Sequence, residues 1–489
     1  MPATTLRRAL ESYRRDEARA RVGRFRGAAR APSEAEVILE HPLLSTDEAL
    51  ERLAEIEAQG MLAAAELRAM RAHVADIRAE RVLAPTRAAW RSLSARVVER
   101  SGHGARVGDL VEELATPDAE VQRAQREAGV RALERVADEV APRVAESELR
   151  ARAVREGALV GDRWAGPAST AAEATTDLSA LAQAWLAVTD DAAMELIERA
   201  ARHEGLARPQ RWDELARVLA FRAVRGSFGP RDRGRRVGAP LAVLGFGREL
   251  SSVRLEPPHP SVGVRARLAV LDSARDVRVS PAARELGAAS ELNLAEGVAR
   301  ALGQLLTPAA LPFAQRVPVV DHAPRLLAAL MQQALVDPVA APRDRALARE
   351  RPHHVTALLV LQLAAARTAA AAVALRAEDS PDAAEALSQR VFGVGLPRSL
   401  ARLALSGERS HAARFLAHLQ AFACWSLLRD ALDEDWFRNP RAAELLRASM
   451  ALSATGDARM GVPLPGLFER PLALSDVHVA RDRVVELLG

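Results

Sequence analysis

The chain has 489 residues, 49% of them hydrophobic and 27% charged, ordinary proportions for a folded protein and too apolar for wholesale disorder. All 68 basic positions are arginine, which excludes Schiff-base and P-loop lysine chemistry, and the single cysteine, Cys424, excludes an intrachain disulfide and a thiolate metal cluster. A net charge of +4 is small for this length, and one tyrosine, six tryptophans and ten phenylalanines offer few faces for stacking bases, so no nucleic-acid partner is expected.

The first thirty residues carry nine arginines against Glu11, Asp16 and Glu17, with no apolar run behind them. That pattern predicts a basic amphipathic segment over 1–33 rather than a secretory signal. Ser45-Thr46-Asp47-Glu48 opens a helix carrying Leu50, Leu53 and Ile56, and Gly60 breaks it. Leu62, Leu67, Met70, Val74 and Ile77 continue at helical spacing up to Pro85, where a stop is expected. Periodicity returns over 110–140 behind a Thr116-Pro117-Asp118 cap, residues 157–176 read as a link, and helices follow over 178–188, 192–203 and 212–224. These segments make an N-terminal helical lobe, 34–225.

Between 226 and 281 the character changes. Arg231, Arg233, Arg235 and Arg236 sit among glycine and proline and read as a solvated loop. Short β-like runs follow at Val253-Arg254-Leu255, 264–271 and Val277-Arg278-Val279. The alternation of Val264, Ala266, Leu268 and Val270 predicts a half-buried strand with Arg265 and Arg267 on its opposite face. Gly245-Phe246-Gly247 lacks the third glycine of a nucleotide loop. Helices then resume over 282–489, a C-terminal lobe. Within it, 357–375 is apolar enough to suggest a membrane span, but Gln362 and Arg367 favour a core helix, so no membrane partner and a cytoplasmic location are expected.

The eleven histidines form no ligand pair at i, i+4. His353 and His354 are adjacent and diverge on a helix. His411 and His418 are seven apart, roughly 10 Å along an axis rising ~1.5 Å per residue, too far to share an ion. His203-Glu204 is followed by no second histidine, and Cys424 beside Trp425 reads as a core residue.

Three stretches taken together carry a likeness. Ala295-Glu296-Gly297-Val298-Ala299 lies on the apolar helix after the β region; Leu311-Pro312-Phe313 leads into a helix over 324–335 and Val336-Asp337-Pro338; Asp433-Glu434-Asp435-Trp436-Phe437-Arg438-Asn439-Pro440 stands near the end. In this order they resemble the oligoendopeptidase- and thimet-oligopeptidase-like zinc peptidases (gluzincins). The resemblance implies a mainly α, two-lobed, zincin-like body with one small β-sheet inserted near the middle. It places the family's His-Glu-x-x-His on 295–299, so Ala295 and Ala299 replace both zinc-binding histidines and Glu296 keeps the general-base position. The third ligand, a glutamate in the family, falls at Arg325. The family's oxyanion-stabilising tyrosine has no counterpart after Tyr13; His411 and His418 are the substitutes on offer.

The resemblance therefore implies a metallopeptidase-like pseudoenzyme with no zinc cofactor. It would act by binding a peptide or protein, or by regulating an active homologue. A working zinc hydrolase with unrecognised ligands, and a helical scaffold unrelated to peptidases, stay open. Arg265 and Arg267 are candidate peptide contacts if the 264–271 strand adds a peptide strand to its edge. Glu296 is expected either to pair with Arg300 at i, i+4 or to reach Arg325. The 433–440 segment is expected to pack Trp436 and Phe437 at a junction, with Asn439 as N-cap and Pro440 opening the next helix.

Overall fold

The computed structural model describes residues 2–28, 30–93, 96–100, 103–114, 123–158, 178–221, 224, 228, 230–257, 266–272, 275–281, 287–319, 322–340, 351–376, 382–406, 409–455 and 472–488. Helices make up most of it, and strands are confined to a two-stranded and a three-stranded sheet among the described residues. The body is mainly α, as expected, with one small sheet more than the single one expected near the middle.

Helix α1 (Pro2–Phe25) presents Leu6, Leu10 and Tyr13 to the same small core as Leu53 and Ile56 of α2 (Glu48–Ala58) and Met70, Val74 and Ile77 of α3 (Ala64–Ser92). Its arginines meet carboxylates: Arg7 grips both oxygens of Glu66 at 2.5 and 2.6 Å, and Arg14 reaches Glu17 at 2.9 Å and Asp76 at 3.2 Å. Gly60 breaks the chain between α2 and α3 at a φ of 62°. The stop expected at Pro85 does not occur. α3 runs through it to Ser92 because it packs along α4 (Arg123–Ala158), which carries Pro142 inside, and that shared packing outweighs a lost backbone hydrogen bond. The cap at 116–118 and most of the 157–176 link lie outside the described residues. The extra sheet is an antiparallel pair, β1 (Val97–Arg100) and β2 (His103–Arg106), too short to announce itself in the sequence.

The arginine-rich stretch expected as a solvated loop is instead a helix, α5 (Pro230–Leu241). Arg233 is buried and donates to the Phe228 carbonyl at 3.0 Å, and Arg236 pairs with Glu291 at 2.7 Å. These partners, one of them 55 residues away, override the low helix propensity of glycine and proline. Strands β3 (Val253–Leu255), β4 (Arg267–Asp272) and β5 (Asp276–Ser280) form the central sheet, with β5 in the middle, parallel to β3 and antiparallel to β4. Val264 and Arg265 lie outside the described residues. Ala266, Leu268 and Val270 face the main core, as their alternation predicts. The opposite face of β4 is not left to solvent: Ala269 and Leu271 pack under Val22 and Phe25 of α1. The strand is covered on both faces because the covering helix arrives from the far end of the chain.

Helix α6 (Ala288–Leu305) lies on this sheet, close enough that a Cβ on Gly297 would stand 2.9 Å from Val279 Cγ1. Helix α7 (His322–Val336) runs antiparallel to α6. Gly303 near the end of α6 meets Pro324 near the start of α7, and Gln332 near the end of α7 donates to the Leu292 carbonyl near the start of α6 at 3.2 Å. Leu294, Val298 and Ala301 share a core with Leu326 and Leu330. Helix α8 (Arg351–Leu375) contains the candidate span: 353–375 is long and apolar enough to cross a membrane, but 72% of its apolar 18-residue stretch is buried within the protein. Gln362 donates to the Gln332 carbonyl at 2.8 Å, and fully buried Arg367 donates through Nη1 to the Leu186 carbonyl at 2.9 Å, so both polar side chains find acceptors within the protein. Helix α9 (Arg409–Leu432) packs on α7 and α8. The 433–440 segment behaves as expected: Trp436 stacks edge-on against Trp425 at 5.0 Å, Asn439 Oδ1 accepts from the Arg441 N–H at 3.0 Å, and Pro440 starts α10 (Pro440–Thr455).

The α6–α7 crossing rests on Gly303, where a Cβ would lie 2.9 Å from the Pro324 Cα, a backbone atom that cannot step aside. Gly303→Ala is expected to destabilise by about 1–3 kcal/mol despite alanine's better helix propensity. Gly157→Ala, at an exposed site with nothing within 4 Å, should hold or slightly raise stability. Urea unfolding of the two variants checks this; a Gly303→Ala protein as stable as the parent would show that the crossing is set elsewhere.

Candidate functional site

Three helices bring the sequence-marked residues together. Ala295, Glu296, Ala299 and Arg300 lie on α6, Arg325 in the first turn of α7, and Arg414 and His418 one turn apart on α9. Spacing of i, i+4 places Glu296 with Arg300, and Arg414 with His418, on common helix faces. Ala295 and Ala299 are buried in the core.

Glu296 Oε1 lies 3.5 Å from Arg300 Nη1, 3.8 Å from Arg414 Nη2 and 3.9 Å from Arg325 Nη1. Both sequence readings of Glu296 therefore hold at once, and a third guanidinium joins them. Arg414 carries no signal in the sequence; it is one of several polar residues on its helix, and only the packing of α9 on α7 reveals it. The three contacts exceed the 2.7–2.9 Å of a tight charge-assisted hydrogen bond, so the group is a cluster of charges around one oxygen rather than a bidentate clamp. Burial pushes the neighbouring His418 imidazole down to about 4, the field of Arg414 adds to this, Glu296 opposes it and Arg325 reinforces it. His418 is thus neutral at pH 7.

The other candidates fall elsewhere. His411 turns to the Ser406 carbonyl at 3.2 Å. Arg267 is exposed at the start of β4, and Arg265 lies outside the described residues. β4 is an edge strand, but α1 packs on it and Arg21 donates to the Leu268 carbonyl at 2.9 Å, so at Leu268 the edge expected to pair with a peptide already has an intramolecular partner. Sequence spacing also missed a pair of rings, His353 Nδ1 standing 3.1 Å from His203 Nε2, because the two come from distant helices.

These residues do not fit the zinc that a zincin-like body implies. Alanine offers no lone pair, and a guanidinium donates only and repels a dication. Among the described residues no three His, Cys, Asp or Glu side chains converge to hold a metal.

No family model matches the chain, and no curated protein matches it in sequence. Among solved structures it is similar to one described as an oligoendopeptidase F from Bacillus anthracis str. Ames, with a TM-score of 0.56 and 12% identity over 93% of this chain and 85% of that one. A lipoprotein structure from Colwellia psychrerythraea aligns at a TM-score of 0.40 with 11% identity, over 93% of this chain and 76% of that one, a score too low to argue from. At 12% identity the first likeness is one of fold: a peptidase-like helical body.

The His418 environment has a measurable sign. Between about pH 6.5 and about 4 the unfolded chain takes up a proton that the folded His418 refuses, so folding stability falls as pH drops through that window and levels off below it. Set beside a His418→Asn variant, in which every other titration is shared, the parent should lose up to about 3 kcal/mol more over this range. Matching pH slopes in urea unfolding would contradict the assignment.

Proposed function

We propose that this peptidase-like protein has lost zinc and catalysis and works by binding, holding a peptide or protein or pairing with an active homologue, in the cytoplasm. The observation that carries the reading is the state of the retained general-base position. Glu296 is flanked by two buried alanines and faced by three guanidiniums. Peptide hydrolysis by a zinc peptidase needs a Lewis acid that activates water beside the base. Here the positions that would hold the metal supply no donor, and cations occupy the space around the carboxylate. A peptidase-like body without that chemistry retains recognition of an extended chain as its remaining use.

Protein purified without chelators is expected to carry zinc far below one ion per chain by elemental analysis, and to leave internally quenched peptides uncleaved. The triple variant Ala295→His, Ala299→His, Arg325→Glu rebuilds three donors around Glu296 and should take up one zinc per chain, with weak activity or none because the supporting hydrogen bonds of a working site are not rebuilt. Stoichiometric zinc with peptide cleavage in the unaltered protein would set the reading aside. A folded triple variant that binds no zinc would count against descent from a metal site.

A further inference from the structure

The arginines of the N-terminal segment take no part in the site around Glu296, and the structure divides them into two sets. Arg7, Arg14 and Arg21 turn to Glu66, Glu17 and Asp76, and Arg26 closes on Glu256. Arg8, Arg15 and Arg19 stand exposed. At about 100° per residue these three fall within an arc of ~40°, on the side of α1 away from Leu6, Leu10 and Tyr13. Among the described residues Arg8 and Arg15 meet no carboxylate, and Arg19 meets only Asp16, at 3.4 Å. Helix α2 carries the counterpart. Glu48, Glu51 and Glu55 are exposed, share an arc of ~60° and face away from buried Ala49, Leu53 and Ile56. Glu48 is held by Arg52 at 2.5 Å, whereas Glu51 and Glu55 meet no cation among the described residues.

Both stripes belong to the small unit built by α1, α2 and α3, and both point away from the core these helices share. Within one chain their free charges do not meet. Their pitch agrees: Arg8 to Arg15 and Glu48 to Glu55 each advance seven residues, about 10 Å along an axis. Leu39 and Met61, 68% and 41% exposed, flank α2 in the chain and add apolar area. We propose that α1 and α2 form a self-recognition surface through which two copies of this chain pair as a twofold dimer, the arginine stripe of each against the glutamate stripe of the other. The twofold axis makes every contact twice, so a chain carrying both signs at equal pitch is its own complement. A lipid surface or a nucleic acid would engage the basic stripe alone and leave the acidic one without a use. The proposal goes beyond the reading of the former metal position and stands whether or not that reading holds.

Exposed ion pairs contribute little singly and are screened by salt, so the dimer is expected to be weak and salt-sensitive. Sedimentation velocity at up to ~100 μM chain tests it, a concentration at which a pair with a Kd of ~10 μM is largely formed. Raising sodium chloride from about 50 mM to about 500 mM should weaken the dimer about tenfold or more. Arg8→Glu with Arg15→Glu makes a chain with two acidic stripes, and Glu51→Arg with Glu55→Arg one with two basic stripes. These four side chains hold nothing within the chain, so both variants should fold as the parent does. Each should be monomeric alone, and a one-to-one mixture should form a heterodimer near the parent's affinity, a rescue that misfolding cannot produce. A parent that stays monomeric at low salt, a dimer that neither charge reversal weakens, or reversed variants that do not pair when mixed would each overturn the proposal. A ladder of larger species would replace the closed pair with an open contact. A monomeric parent that sediments with phosphatidylserine vesicles would assign the basic stripe to a lipid surface instead.

Discussion

Glu296 stands where three helices bring three guanidiniums within 4 Å of one carboxylate oxygen. The constraint is steric before it is electrostatic. Gly297 lets α6 settle onto Val279 of the central sheet, and Gly303 lets the same helix close onto Pro324 of α7. That double contact fixes α6 between sheet and helix and delivers Arg325 from the first turn of α7, while α9, packed on the far part of the same core, delivers Arg414 and His418. Buried Ala295 and Ala299 complete the interior surface of α6, where bulkier polar residues would have needed partners.

In a chain with no lysine, arginine does two opposite jobs. At buried anchors one guanidinium serves several acceptors. Arg126 donates to Asp213 Oδ2 at 2.9 Å and to the Asp213 and Leu114 carbonyls at 3.0 and 3.1 Å, and Arg483 pairs with Asp337 while lying 4.7 Å over the Trp425 ring. Its planar fork of five donors suits that task, and the charge is repaid by close contacts. Around Glu296 the ratio inverts: one oxygen faces three guanidiniums, none in close contact with it.

Local signals in the sequence predict local structure well. The helix over 178–188, the break at Gly60 and the Asn439-Pro440 helix start all follow from short-range chemistry and are found where expected. The placement of Glu296 near Arg325 was legible too, through the resemblance and the two apolar stripes. What escaped depends on partners far along the chain. The 230–241 helix is held by Arg236 reaching Glu291, and α3 passes Pro85 because α4 lies beside it. The second face of β4 is closed by a helix some 240 positions earlier, and no alternation within the strand can report that. Arg414 was invisible for the same reason: it is separated from Glu296 by more than a hundred residues, and nothing adjacent to it hints at a charge partner.

The central claim is that the position a zincin-like body reserves for its metal is here a guanidinium-held carboxylate. X-ray diffraction from crystals soaked in zinc chloride, recorded on both sides of the zinc absorption edge, tests it most directly. The account predicts no anomalous peak within coordinating distance of Glu296, with the Arg300, Arg325 and Arg414 side chains gathered around its carboxylate. A zinc peak bonded to Glu296 and to two further side chains, with the arginines displaced, would contradict it.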